Sequence, residues 1–220
     1  MARGKRGGVE DLGRFRRAVS AWAVGGGAAE AVDEASGLAG GVRMVVLVEG
    51  TSDQVALETL AARQGRDLGA EGVAVVPMGG ATNIGRFLDV CGPPGLGLAL
   101  AGLCDVGEER HFRRHLERVG LTDGDLEGLG FHVCRADLED ELIRALGPEG
   151  VRQVIEAQGE LRPFLTFQGQ PAQRGRPVEH QMRRFLGTHS GRKALYAQAL
   201  VGALALDRVP RPLERLLAHV

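Results

Sequence analysis

Apolar positions along the chain follow two distinct rhythms. Four short runs are almost unbroken: 43–48 (RMVVLV), 73–77 (VAVVP), 97–104 (GLALAGLC) and 130–134 (GFHVC). Runs of this length with no polar alternation predict strands buried on both faces. Between them lie stretches at helical spacing, over 53–64, 83–90, 108–119 and 137–146. A strand followed by a helix, four times over, predicts an α/β fold: a Rossmann-like parallel sheet with helices on both sides. After Pro148 the strand signal stops. Helical patterns at 148–157, 177–187, 190–206 and 212–218 predict an α-helical C-terminal extension. Upstream, 9–24 and 28–37 read as short amphipathic helices, and the clusters Gly25-Gly26-Gly27 and Gly40-Gly41 punctuate them. The expected organisation is a loosely attached helical leader over 1–41, an α/β domain over 42–147 and a helical extension over 148–220.

Composition changes this picture little. The chain is 44% hydrophobic and 25% charged, an ordinary globular balance. No apolar run approaches membrane-spanning length, and none follows the basic start MARGKRGG as a secretory signal would. A cytoplasmic protein with no membrane partner is expected. Three cysteines without CxxC spacing indicate neither a disulfide framework nor a zinc knuckle. The net charge of −1 conceals an asymmetry, because from residue 151 onward eleven Lys and Arg stand against five Asp and Glu. A phosphate-binding face beside an acidic site is one reading, and solvated surface arginines are the other. Aromatics make up only 4% of the chain, too few for a base-stacking platform.

Function in such a sheet gathers beyond the carboxyl ends of the strands. Acids cluster there: Glu49 after the first strand, Asp105 after the third with Glu108 and Glu109 behind it, and Asp137, Glu139, Asp140 and Glu141 after the fourth. Neighbouring strands lie about 5 Å apart, so Glu49 and Asp105 meet if their strands are adjacent. Crowded carboxylates repel one another, and a divalent cation relieves the repulsion. Oxygen donors without a Cys/His set favour Mg²⁺ or Mn²⁺ over zinc. Asp53, one helical turn after Glu49, would join the same ion or a second one. Taken singly, Asp53, Glu108 and Glu109 also fit the first turn of a helix, after a Thr51/Ser52 cap in the case of Asp53. Glu49 at a strand tip has no such explanation.

The stretches VLVEG-TS-D and LAGLCD-V-G-EE resemble a TOPRIM domain, the metal-binding α/β module of topoisomerases, bacterial primases and certain nucleases. With Asp53 four residues after Glu49, and with the downstream DLEDEL, the likeness is greatest to the TOPRIM part of the OLD-family (overcoming lysogenization defect) ATP-dependent endonucleases. It extends over about 42–146 and more weakly to about 206. The resemblance implies a metal-dependent DNA endonuclease with Glu49 and Asp105 as catalytic metal ligands. Glu139 or another acid of DLEDEL would join them, and Asp53 and Glu108 would complete a second site. Gly107 stands where the family pattern has its second aspartate, so Glu108 or Glu109 would have to substitute. Lys193, one of only two lysines, matches the family lysine that stabilises the transition-state phosphate. Arg183, Arg184, Arg192 and Lys193 would hold the DNA backbone. No Walker A sequence is present: Gly80 to Phe87 lacks the Lys and the Ser/Thr that nucleotide phosphates need. Any ATPase would be a separate partner, and a homodimer is compatible with the sequence.

The competing readings are a catalytically weak metal- or phosphate-binding interaction module and a primase-like nucleotidyl transferase. His111 and His115 have metal-ligand spacing, but the central Glu of HExxH is missing. Ser52, Ser190 and Cys104 lack a His/Asp partner in sequence. GGATNIG (79–85) reads either as a phosphate-binding turn or as a plain one. Tyr196, the only tyrosine, falls within a predicted helix and shows no sign of a nucleophile's role.

Overall fold

The computed structural model describes residues 3–25, 28–122, 124–187 and 191–220. At its centre is a four-stranded parallel sheet of β1 (Met44–Val48), β2 (Val73–Pro77), β3 (Ala99–Asp105) and β4 (Phe131–Cys134), in the order β2-β1-β3-β4. The residues of β1 are all buried, as an unbroken apolar run requires when helices cover both faces. Met44, Val46 and Val48 point to one core, while Val45 and Leu47 point to the other.

On the first face lie α3 (Thr51–Arg63), α6 (Leu138–Ala157), α7 (Leu161–Gln168), α8 (Val178–Leu186), α9 (Arg192–Ala203) and α10 (Arg211–His219). The opposite face carries α1 (Arg3–Gly25), α2 (Ala29–Ala39), α4 (Ile84–Cys91) and α5 (Glu109–Arg118). The C-terminal helices thus share one continuous core with the strands. Each fully buried aliphatic or aromatic side chain in these layers contributes about 1.5–3 kcal/mol. Close packing also explains Gly102 in β3. A Cβ there would lie 2.7 Å from the Phe131 ring and 2.8 Å from the Leu47 carbonyl oxygen.

Several expectations are corrected. The first two helices are not a loosely attached leader, because Phe15 and Val19 of α1 are fully buried beside Leu47 and Val76. Periodicity revealed their amphipathic faces but not the surface that receives them. Helix α3 begins at Thr51, and neither Thr51 nor Ser52 caps it. Instead the Asp53 carboxylate accepts a 2.7 Å hydrogen bond from the Gly50 N–H. Helix α7 was not expected, since Pro163 masks it in sequence, yet proline is tolerated in a first helical turn. The expected break before Pro148 is present as a kink within α6, where Gly147 takes φ 71°. The predicted start at Ser190 lies outside the described residues.

Among the described residues no helix is long and apolar enough to cross a membrane.

Candidate functional site

Because β1 pairs with β3, with Leu47 opposite Gly102, the acids after the two strands lie side by side at the carboxyl edge. Glu49 projects from the tip of β1 and is exposed. Asp105 ends β3, next to Cys134 of β4, which brings the β4–α6 connection to the same place. There Asp137 caps α6, its Oδ1 accepting from the Asp140 N–H at 2.8 Å. The residues meet in a cleft of about 740 Å³ lined by Glu49, Asp53, Asp105, Asp137, Glu139 and Lys193, with Gly79 and Gly80 on its rim.

Electrostatics set this cleft apart. Burial pushes the Asp105 carboxyl up to about 7, and the negative charges of Glu49, Asp137, Asp53 and Glu139 add to the shift. Asp53 is also raised to about 7, by burial and by Glu139 and Glu49, against the opposing pull of the Gly50 N–H and Lys193. Glu139 is buried, and its Oε1 has no hydrogen-bond partner among the described residues. Lys193 Nζ lies 3.3 Å from that oxygen, near enough for an ion pair but not aligned as a hydrogen bond. Partial burial works against the Lys193 charge, but Glu139, Asp137 and Asp53 outweigh it and raise its pKa.

Sequence reasoning placed most of this cleft. Glu49, Asp53, Asp105, Glu139 and Lys193 all line it. Glu108 is not among the lining residues: it is half-buried at the end of the turn Val106–Glu108, directly after Asp105. Of the remaining DLEDEL acids, Asp140 pairs with Arg144 at 2.8 Å, and Glu141 pairs with Arg144 at 2.6 Å. Asp137 was foreseen only as one acid of its cluster, and its capping role is what turns it into the cleft. Arg183 reaches the cleft through Asp137, its Nε 2.7 Å from Oδ2, while Arg184 is exposed on the same helix. Arg192 is turned to another neighbourhood, 2.8 Å from Glu160 and stacked over Phe185 at 4.7 Å.

Other candidates are set aside by their surroundings. Tyr196 is buried and donates to Glu160 Oε2 at 2.7 Å, so its hydroxyl is engaged away from the cleft. Burial pushes the thiol of Cys104 up to about 12, which leaves it a poor nucleophile. His111 and His115 lie with ring centroids 4.6 Å apart and have no third ligand among the described residues.

What the cleft can do chemically follows from its donors. As they stand, no three acidic, histidine or cysteine side chains among the described residues converge tightly enough to chelate an ion. The crowding is nevertheless the kind a cation relieves: two carboxyls raised to about 7 and a buried oxygen without a hydrogen bond. Hard oxygen donors on short side chains suit Mg²⁺ or Mn²⁺.

Comparison with known proteins agrees with this geometry. Residues 42–106 match the family described as the overcoming lysogenization defect protein-like TOPRIM domain. No curated protein sequence gives a significant match. Among solved structures, the C-terminal region of the Burkholderia pseudomallei OLD protein is similar over 81% of this chain and 96% of its own, with TM-score 0.63 and 22% identity. The C-terminal region of the Xanthomonas campestris pv. campestris OLD protein is similar over 81% of this chain and 94% of its own, with TM-score 0.60 and 24% identity. At such identities the likeness establishes a shared fold.

Proposed function

We propose, from the premise that residues 42–106 are a TOPRIM domain of the OLD-like kind, that this protein is a divalent-metal-dependent DNA endonuclease. The observation that carries the proposal is the single cleft in which acids from three βα connections meet one lysine. Glu49 and Asp105 would hold the metal, with Asp53, Asp137 and Glu139 within the same cleft to complete one or two sites. A bound Mg²⁺ or Mn²⁺ supplies charge neutralisation at the scissile phosphate and lowers the pKa of an attacking water. Lys193 contributes a compact positive charge for a non-bridging phosphate oxygen. Arg183 holds Asp137 in place and, with exposed Arg184, presents positive charge to the DNA backbone. Contacts of this kind read no sequence. An ATPase, where one is required, would be a separate partner.

Nicking of supercoiled plasmid in Mn²⁺ tests the assignment, with wild type compared against Glu49→Ala. The exposed position of Glu49 keeps the fold out of the comparison. Nicking in the wild type that is lost in the variant supports the proposal, and nicking that persists unchanged in the variant overturns it.

A second reading is a catalytically weak metal- or phosphate-binding interaction module. Gly107 in place of the family's second aspartate favours it, as does the absence of three convergent ligands among the described residues. It predicts Mn²⁺ binding without nicking by either protein.

A further inference from the structure

On the far side of the β4–α6 connection lies a second cavity, of about 460 Å³, walled by β4, α6 and the start of α10. The connection divides the two openings: Asp137 lines the acidic cleft, and Arg135, two residues earlier, lines this one. Its most buried polar residue is His132, only 5% exposed, and neither ring nitrogen has a hydrogen-bond partner among the described residues. Buried imidazole nitrogens are normally satisfied, so a group that donates and accepts nowhere points to something absent from its surroundings. The nearest ring, His219, is 6.3 Å away between centroids and does not fill the need.

The rest of the wall indicates the charge of the missing group. Arg135, Arg144 and Arg211 line the cavity together with two carboxylates, Glu127 and Glu141. Arg144 is committed to Asp140 and Glu141, and Arg211 lies 3.2 Å from Glu127. The Arg135 guanidinium makes no ion pair or hydrogen bond among the described residues, while its backbone N–H donates to Glu141 Oε1 at 2.8 Å. That bond anchors the residue and leaves its side chain available. Helix α10 also opens onto the cavity through Pro210, Arg211 and Pro212, bringing the positive end of its dipole to the same wall.

From this juxtaposition we infer that the cavity is a binding site for a phosphate group, held by the Arg135 guanidinium and by a hydrogen bond from the His132 ring. A phosphate supplies the acceptor oxygens that both groups lack, and a forked guanidinium matches its geometry. The phosphate belongs either to a nucleic-acid backbone passing from the acidic cleft over the β4 edge or to a free phosphate monoester. The site does not depend on the nuclease reading, because it shares no residue with the acidic cleft.

The test is a titration of inorganic phosphate into ¹⁵N-labelled protein in EDTA, following the imidazole nitrogens. The His132 signal is assigned with His132→Gln, and Arg135→Gln is run alongside. Arg135 is exposed and its side chain is unpaired, so that substitution leaves the fold intact. The expected result is a saturable shift of the His132 nitrogens, with affinity at least about fivefold weaker in Arg135→Gln. A duplex oligonucleotide of about 20 bp then separates the two sources. For backbone phosphate it moves the same resonances, and Arg135→Gln reduces the salt slope of binding by about one ion. For a free monoester, phosphate alone moves them. Silence of His132 toward both ligands overturns the inference, as does an equal response in wild type and Arg135→Gln. No cleavage is measured, so failure here and failure of the nuclease assignment are read separately.

Discussion

Lys193 Nζ lies 3.3 Å from Glu139 Oε1, so the one lysine lining the acidic cleft is already paired with one of its carboxylates. The ammonium therefore acts as the cleft's own counter-charge when no other cation is present. On the proposed function, a divalent ion bound by the same acids would compete with it and free it to meet a phosphate. Lys193→Met should lower plasmid nicking by about 10²-fold or more, the usual effect of losing a transition-state charge stabiliser. Mn²⁺ affinity, measured by calorimetry, should be unchanged or tighter. A variant that binds Mn²⁺ more weakly would show that the lysine is not a competitor.

Asp105 is partly buried in a crowd of like charges, and this makes a separate prediction about stability. In the folded protein its carboxyl is raised to about 7 from 3.8, and so is that of Asp53. The folded state therefore binds extra protons between these values, and these groups withdraw stability as pH rises from about 4 to about 7. Buried His132 and half-buried His115, whose pKa values are lowered mainly by burial, push the other way near neutral pH. The informative quantity is the difference between wild type and Asp105→Asn. Metal-free Asp105→Asn should melt higher at pH 8 by about 2–4 °C, the shift made by roughly 1 kcal/mol in a chain of this size. The gain should vanish near pH 4, and Mn²⁺ should stabilise the wild type far more than the variant. A variant that melts lower at pH 8 contradicts a carboxyl raised by burial and crowding.

The first helix is structural, and Phe15→Ala reports on it. Phe15 is fully buried between α1 and the sheet, so truncation should cost about 3–5 kcal/mol in urea unfolding. A change below about 1 kcal/mol would mean that α1 is not held against the sheet as described.

Gly102 offers a test of the sheet that carries the site. A methyl group there meets the Phe131 ring at 2.7 Å and the Leu47 carbonyl oxygen at 2.8 Å. Gly102→Ala should cost about 1–3 kcal/mol through overpacking and disturb the β1–β3 spacing that sets Glu49 beside Asp105. Thermal melting measures the first effect and Mn²⁺ affinity the second. Unaltered values for both would sink the argument.

Much of this was legible in the residues. The run Val45 to Val48 can only be a strand buried on both faces, and Glu49 at its end has no role in packing or capping, so a site at the strand tips follows from local chemistry. Lys193 was harder, because nothing in its neighbourhood reveals a cleft. The resemblance to a known family singled it out, together with its rarity as one of only two lysines. Glu108 follows Asp105 closely in sequence, but whether it lines the cleft depends on the turn Val106–Glu108, which spacing alone does not describe.

The sequence by itself determined the element types apart from α7, the parallel sheet and the candidacy of Glu49 and Asp105, since each rests on periodicity or on a residue's immediate neighbours. Tertiary structure alone decided that β1 lies against β3, that α1 is core, and that Arg183 joins Asp137 while Arg192 turns to Glu160. It also left the His132 ring buried without a partner. These outcomes depend on contacts between residues far apart in the chain, and no local pattern of hydrophobic and polar positions encodes which distant surfaces will meet.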